Sequence, residues 1–144
     1  MSLEPLLSAT WIIQIHAFAA LAALVLGTVQ LVAPKGTVPH QLMGIIWLIL
    51  MLIVAISSIF IRPSVFGWDL PFLQWFSFIH IFTISTLIAV GLAVHYLRQE
   101  GPAHRRHIYP IISIFIGGLI IAGAFTLLPG RIMGEVVFGI PEGS

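Results

Sequence analysis

Four histidines recur at one spacing along the chain, and histidine is the residue type in this sequence best suited to bind a metal or a metal-containing cofactor. His16 and His40 are 24 residues apart, and His80 and His104 are also 24 residues apart. A shift of the chain by 64 residues therefore places His16 on His80 and His40 on His104. Because only six of the 144 residues are histidines, these coincidences carry more weight than matches among the abundant apolar residues.

The chemistry that suits such pairs is the ligation of haem iron. An imidazole in an apolar segment is costly unless it is hydrogen-bonded or ligated, and histidine is a common axial ligand of haem. Zinc and copper usually take three or more close ligands, and the absence of cysteine removes thiolate sites and covalent haem attachment. The pattern predicts two b-type haems, an outer one held by His16 and His80 and an inner one held by His40 and His104.

Two glycines stand in the same relation to the two histidines of the outer pair. Gly27 follows His16, and Gly91 follows His80, by eleven residues, which is about three helical turns along the same helix face. Each glycine would leave room for the edge of a haem ring, so Gly27 and Gly91 are candidate cofactor contacts. Close packing of membrane helices also favours small residues, and both interpretations stay open at this point.

The elements that carry these residues are apolar helices. The chain is 59% hydrophobic and 8% charged, with a mean hydropathy of +1.10, whereas soluble domains carry about 25% charged residues. Four stretches lack Asp, Glu, Lys and Arg and exceed the roughly 20 residues that span a bilayer. The net charge of +1 speaks against a nucleic-acid partner, and membrane lipid is the expected surrounding. The sequence predicts a single transmembrane domain over 1–144, with helices at about 8–33, 38–62, 71–98 and 102–129.

The histidine pattern belongs to an internal repeat of two helical hairpins. Residues 10–63 align without gaps onto residues 74–127. A repeat of two helices keeps its membrane topology, so the halves are expected to be related by a pseudo-twofold axis along the membrane normal. The predicted fold is an all-α membrane protein, a pseudo-twofold bundle of four transmembrane helices. His95 and His107 have no histidine mate in the repeat and are interpreted as residues at the membrane interface.

The distribution of basic residues predicts the orientation in the membrane. Because the helices alternate in direction, the ends of the chain share one face with Arg62 and Arg131. The opposite face carries four basic residues near helix ends, and an excess of Lys and Arg marks the cytoplasmic side. Both termini are therefore expected outside the cytoplasm, and the first apolar segment is expected to be retained, since no basic segment precedes it. The four basic residues of the cytoplasmic face are Lys35, Arg98, Arg105 and Arg106.

Several short motifs resemble those of a bacterial family of predicted four-helix membrane proteins of unknown function. The resemblance covers nearly the whole chain and implies a location in the bacterial plasma membrane. The motifs that carry it are His16 in a first helix that bears Gly27, the run Pro39-His40-Gln41-Leu42-Met43-Gly44, the pair Ser57-Ser58, His80, the run His104-Arg105-Arg106, the pair Ala122-Gly123 and the run Pro129-Gly130-Arg131.

The arrangement of the histidines is also similar to that of two-haem b-type transmembrane cytochromes of the ascorbate-dependent ferrireductase kind, in which alternating helices supply two histidine pairs. Those cytochromes have further flanking helices and substrate-binding residues, which have no counterpart in this sequence. The resemblance therefore implies an electron-transferring di-haem cytochrome without specifying its substrate. A quinol, a ferric ion or another small molecule could serve as the electron donor or acceptor.

The alternative is a haem-free membrane protein, a small transporter or a subunit of a larger complex, whose histidines bind protons or a metal ion. The two hypotheses differ in a simple observable, because only a haem protein is red when purified. Whether the chain is an oxidoreductase in its own right and whether it forms a homodimer stay open at this stage.

Overall fold

Four long apolar helices form the body of the protein. The computed structural model describes residues 2–61, 78–128 and 131–139. The 22 residues of the first long helix rise roughly 33 Å, which matches a hydrocarbon core about 30 Å thick. All four are long and apolar enough to cross a membrane. They are called the first to fourth spans and comprise Trp11–Val32, Val38–Phe60, Phe78–Leu97 and His104–Thr126.

This architecture confirms the predicted all-α membrane fold with four transmembrane helices. The first span begins at Trp11 rather than at residue 8, because Thr10 has an extended backbone, with φ −61° and ψ 148°, and ends the helix on its N-terminal side. The predicted end of the second helix at residue 62, the start of the third at 71 and the end of the fourth at 129 lie outside the described residues.

The turn between the first two spans is stabilised by side chains at both helix ends. The Lys35 Nζ donates to the carbonyl oxygens of Gln30 and Leu31, at 2.7 Å each, and so satisfies acceptors that the last helical turn leaves free. The Thr37 hydroxyl oxygen accepts a hydrogen bond from the His40 backbone N–H at 3.3 Å, as expected of an N-cap. This cap fixes the first turn of the second span, which carries His40.

The fourth span is irregular, whereas its predicted repeat mate, the second span, is a continuous α-helix. It begins within a 3₁₀-helix, Gly101–His107, and continues as an α-helix over Ile108–Ser113, a π-helix over Ile114–Ile121 and an α-helix over Ala122–Thr126. Pro110 has no N–H to donate to a carbonyl of the preceding turn, so a regular α-helical ladder cannot run through this point. The two halves therefore differ locally, and the internal repeat stays a prediction.

The spans pack in the order of the chain around a closed ring. Each span contacts the next, and the fourth returns to contact the first. Among the described residues, the first span has no comparable contact with the third, nor the second with the fourth, so these pairs lie diagonally across the bundle. All four spans contribute to one buried core, whose members are Ala23, Trp47, Leu48, Met51, Ala89, Val90, Ala93, Ile114, Phe115 and Leu119.

Two short helices that the sequence analysis did not predict cover the end of the bundle that carries both termini. The helices Glu4–Leu7 and Ile132–Phe138 contact each other. Leu6 from the first and Val136 from the second bury their side chains together with Ala17 of the first span. The two short helices therefore lie on the same side of the bundle, against Ala17, which is the sequence neighbour of His16.

Candidate functional site

His16 is held in one orientation by the second span. Its Nδ1 lies 3.1 Å from the Val54 carbonyl oxygen and 2.9 Å from the Ser57 Oγ. The Val54 carbonyl oxygen can only accept, so the imidazole donates from Nδ1 in this contact. The Ser57 hydroxyl also lies within hydrogen-bond distance of the Ile53 and Val54 carbonyl oxygens, at 2.6 and 3.1 Å. In a neutral imidazole the other nitrogen, Nε2, then carries a lone pair that can bind a metal. A metal-ligating histidine is commonly oriented in this way by a hydrogen bond from its second nitrogen.

The half of the bundle that contains His16 also has a polar contact between the second and third spans. Ser58 and Thr83 are both buried, and their hydroxyl oxygens are 2.6 Å apart. His80, which is half-buried, precedes Thr83 by three residues and lies close to one helical turn away on the third span. Polar side chains of three spans are therefore concentrated at the depth of His16 and His80, where an apolar bilayer would otherwise disfavour them.

His40 is linked to the first span by Gln30. The Gln30 Nε2 donates to the His40 carbonyl oxygen at 2.7 Å. The Gln30 Oε1 and the His40 Nδ1 are both buried and have no hydrogen-bond partner. Buried polar atoms without a partner are rare and call for an explanation such as a bound group or water. The sequence analysis did not identify Gln30 as a candidate site residue. A side-chain amide within a membrane span that lacks charged residues is nevertheless a sign of a specific contact.

The two candidate glycines have opposite surroundings. Gly27 is buried, and a Cβ added there would lie 2.6 Å from the Trp47 Nε1 and 2.8 Å from the Phe115 ring. The Trp47 Nε1 donates to the Ala23 carbonyl at 2.9 Å, which fixes the indole over the glycine. A Cβ added at Gly91 would meet nothing within 4 Å. The space at Gly27 thus accommodates aromatic side chains of the protein, which favours the packing interpretation for this glycine.

This contrast predicts different effects of the same substitution at the two glycines. Gly27→Ala should destabilise the protein by about 1–3 kcal/mol, because the indole and the phenyl ring must both shift in a packed core. Gly91→Ala should be neutral or stabilising by up to about 1 kcal/mol, because alanine has the higher helix propensity and finds open space. Thermal unfolding in detergent measures both. Equal effects of the two substitutions would contradict the packing around Gly27.

The candidate inner pair is less closely defined than the outer one. His40 is half-buried, but His104 is exposed. The His104 ring contacts the His107 ring instead, with a centroid separation of 4.9 Å. Among the described residues, no group of three or more His, Cys, Asp or Glu side chains is placed to hold a metal ion.

The comparisons with known proteins identify the family of the chain. The family model described as "Predicted membrane protein (DUF2306)" matches residues 13–127. This range includes the four candidate histidines and the four spans, except for the first two residues of the first span. The comparison with curated proteins and the comparison with solved structures found no match. An integral membrane protein is thus supported both by the four apolar helices and by the family match. The chain belongs to the family of predicted membrane proteins DUF2306.

Proposed function

We propose that this protein is a b-type cytochrome that binds two haems and carries electrons across the bilayer. The observation that supports it most directly is the orientation of His16. Its Nδ1–H is engaged by the Val54 carbonyl and Ser57, so Nε2 is left to bind iron, as at other metal-ligating histidines. The protein supplies position and environment, and the haem supplies one-electron chemistry.

The order of the spans supports ligation in two diagonal pairs. A flat macrocycle in a bundle core takes its two axial ligands from helices that face each other across the axis. The first span is diagonal to the third, and the second is diagonal to the fourth. His16 and His80 would hold the outer haem, and His40 would hold the inner haem with a histidine of the fourth span, which is His104 by the sequence repeat. Gln30 fixes the backbone at His40.

A haem-free role is the second candidate, and one observation favours it. The space over Gly27 is filled by Trp47 and Phe115, so a haem edge could reach this glycine only after both rings had moved. In that case the protein is a small transporter or a subunit of a complex, and its histidines bind protons or a metal ion. The inner haem of the first proposal therefore does not depend on Gly27, which we assign to packing.

The spectrum of the purified protein separates the two candidates. We expect a Soret band and the spectrum of low-spin haem b with two imidazole ligands, because all four proposed ligands are histidines and cysteine is absent. Electron paramagnetic resonance of the oxidised protein should show low-spin ferric iron. A sample from haem-supplemented cells without a Soret band would support the haem-free alternative.

The proposed location is the bacterial plasma membrane, with both termini outside and the end that carries Lys35 and Arg98 in the cytoplasm. The electron donor would be a quinol or another small molecule on one side of the membrane, and the electron acceptor would lie on the other side. A homodimer is compatible with this role.

The orientation can be tested with fusions to the C-terminus. An alkaline phosphatase fusion should be active and a green fluorescent protein fusion should be dark, because the basic residues at the opposite end of the bundle favour the cytoplasmic side. The reverse pattern would overturn the orientation.

A further inference from the structure

Two histidines at the start of the fourth span have their side chains in contact. Gly101–His107 forms a 3₁₀-helix, in which residues three apart eclipse each other. His104 and His107 therefore lie on one face of this helix. Their ring centroids are 4.9 Å apart, and the ring planes are inclined by 60°. The helix thus holds two imidazoles close together on one surface.

The separation of the two rings is that expected of two ligands of one metal ion. Two imidazoles that share a zinc ion form Zn–N bonds of about 2.0–2.1 Å, at an angle of about 90–110°. The centres of their rings are then roughly 4.5–5.2 Å apart. The separation of 4.9 Å between His104 and His107 lies in this range. Both rings can therefore bind one ion without a change in their spacing.

The orientation of the His107 ring is fixed by a hydrogen bond. Its Nδ1 contacts the His104 backbone carbonyl oxygen, which can only accept. The imidazole therefore donates from Nδ1, and its Nε2 carries the lone pair that can bind a metal. A hydrogen bond from the second ring nitrogen to a carbonyl is the usual arrangement of a metal-ligating histidine. One of the two ligands is thus already in the tautomer that binds an ion.

The pair lies at the surface of the protein, where no packed core occupies the space beside it. His104 is exposed, and His107 is half-buried. Within the described ranges, no group of three or more metal-ligating side chains forms at this or any other place. A closed structural zinc site has four protein ligands, whereas a site with fewer keeps positions for water. The pair therefore fits an ion that exchanges with the solvent.

The ligand type and the neighbouring charges indicate which ions can bind. Imidazole suits Zn²⁺, Cu²⁺ and Ni²⁺, whereas Mg²⁺ and Ca²⁺ prefer oxygen ligands. Arg105 and Arg106 lie between the two histidines in the sequence and are exposed. Their positive charges oppose a cation, but water and salt screen exposed charges. Binding therefore depends on coordination by the two rings, and the site selects transition metals.

We propose that His104 and His107 together bind one divalent transition-metal ion at the predicted cytoplasmic end of the fourth span. The inference rests on the second candidate function, in which the histidines bind a metal ion. The di-haem candidate assigns His104 to the inner haem instead, and the same imidazole cannot ligate both. The two assignments of His104 are alternatives that one set of variants separates.

Copper binding to the purified protein tests the site. The protein is produced without a polyhistidine tag and titrated with Cu²⁺ by calorimetry in detergent. Wild-type protein should bind Cu²⁺, with coupling to two imidazole nitrogens in electron paramagnetic resonance. His104→Ala and His107→Ala should each weaken binding by about tenfold or more, because a second ligand on the same helix raises the effective concentration of the first. Wild-type affinity in a folded His104→Ala sample would overturn the proposal.

Two controls separate this site from general binding by histidine or by charge. His95 is also exposed near the same end of the bundle, and its ring contacts Tyr96 rather than another histidine. His95→Ala should bind Cu²⁺ as wild type does, and excess Mg²⁺ should not compete. An equal loss of affinity in His95→Ala and His104→Ala would contradict the assignment. His104→Ala replaces an exposed side chain, so the test does not depend on whether His107→Ala folds.

The haem content of the same samples separates failure of the site from failure of the function on which it rests. A wild type with two haems, one of which is lost in His104→Ala, would overturn both the metal site and the haem-free candidate. A colourless wild type whose Cu²⁺ affinity is unchanged in His104→Ala would overturn the metal site alone. A colourless wild type whose binding is lost in both single variants is the result that the proposal predicts.

Discussion

Replacing His16 with alanine is expected to remove one of the two haems and leave the other in place. The variant lacks the imidazole whose Nδ1 is held by Val54 and Ser57, and no other histidine of the first span can replace it. The His40 site lies at the other end of the bundle and shares no ligand with it. Substitutions at separated sites without shared partners act almost independently, so the haem content should fall to about half.

His80→Ala should have the same effect as His16→Ala, because each removes one of the two axial ligands proposed for the outer haem. His95→Ala is the control for the loss of an imidazole from the third span, and it should leave both haems bound. Haem per mole of folded protein is the measurement, with folding checked by size-exclusion chromatography. If His95→Ala halved the haem content while His80→Ala did not, the pairing of His16 with His80 would be wrong.

Electron transfer across the membrane should fall to background when either haem is lost. His16 lies roughly 24 Å along the helix axis from Val32 at the opposite end of the first span, at about 1.5 Å per residue. One haem near either end could not span this distance, so under the proposed function the two haems would act in series. His16→Ala and His40→Ala should each abolish transfer, even though each variant still binds one haem.

Proteoliposomes with ferricyanide trapped inside and a membrane-impermeant reductant outside measure this transfer directly. Wild-type protein and His95→Ala should bleach the trapped ferricyanide well above the rate of protein-free vesicles. The two single-haem variants should match the protein-free rate. Rapid transfer in His16→Ala, with its remaining haem reduced at the wild-type rate, would contradict a chain of two haems.

The four spans could be predicted from sequence because the signal is local. Each span is a long stretch without acidic residues, lysine or, within its apolar part, arginine. In lipid the backbone N–H and C=O groups of such a stretch must be hydrogen-bonded within it, and a helix does this. Thr37 was likewise predictable as an N-cap, because its position before Pro39 and an apolar run is a local pattern. Both features are present within the described residues.

The surroundings of the candidate site could not be predicted in this way, because they depend on contacts between distant segments. Trp47 of the second span reaches Gly27 of the first, and the Gln30 amide of the first span reaches the His40 backbone of the second. The fourth span begins as a 3₁₀-helix, whereas a repeat read from sequence assumes equal helix geometry in both halves. Spacing therefore identified the histidines as a group, and the fold distinguishes among them.

The terminal helices illustrate the same limit. The pattern of Ile132, Met133 and Val136 has helical spacing, and Gly139 has the left-handed conformation of a helix end, with φ +68°. A helix in this segment was thus open to prediction. Its contact with Leu6 near the start of the chain was not, since no local pattern links the two ends.

The haem content of the purified wild-type protein tests the central claim most directly. The protein should be produced with a haem supply, purified in mild detergent and analysed by the pyridine haemochrome method against protein mass from amino-acid analysis. We expect about two b-type haems per chain, one for each histidine pair. A folded, monodisperse protein without bound haem would contradict the claim.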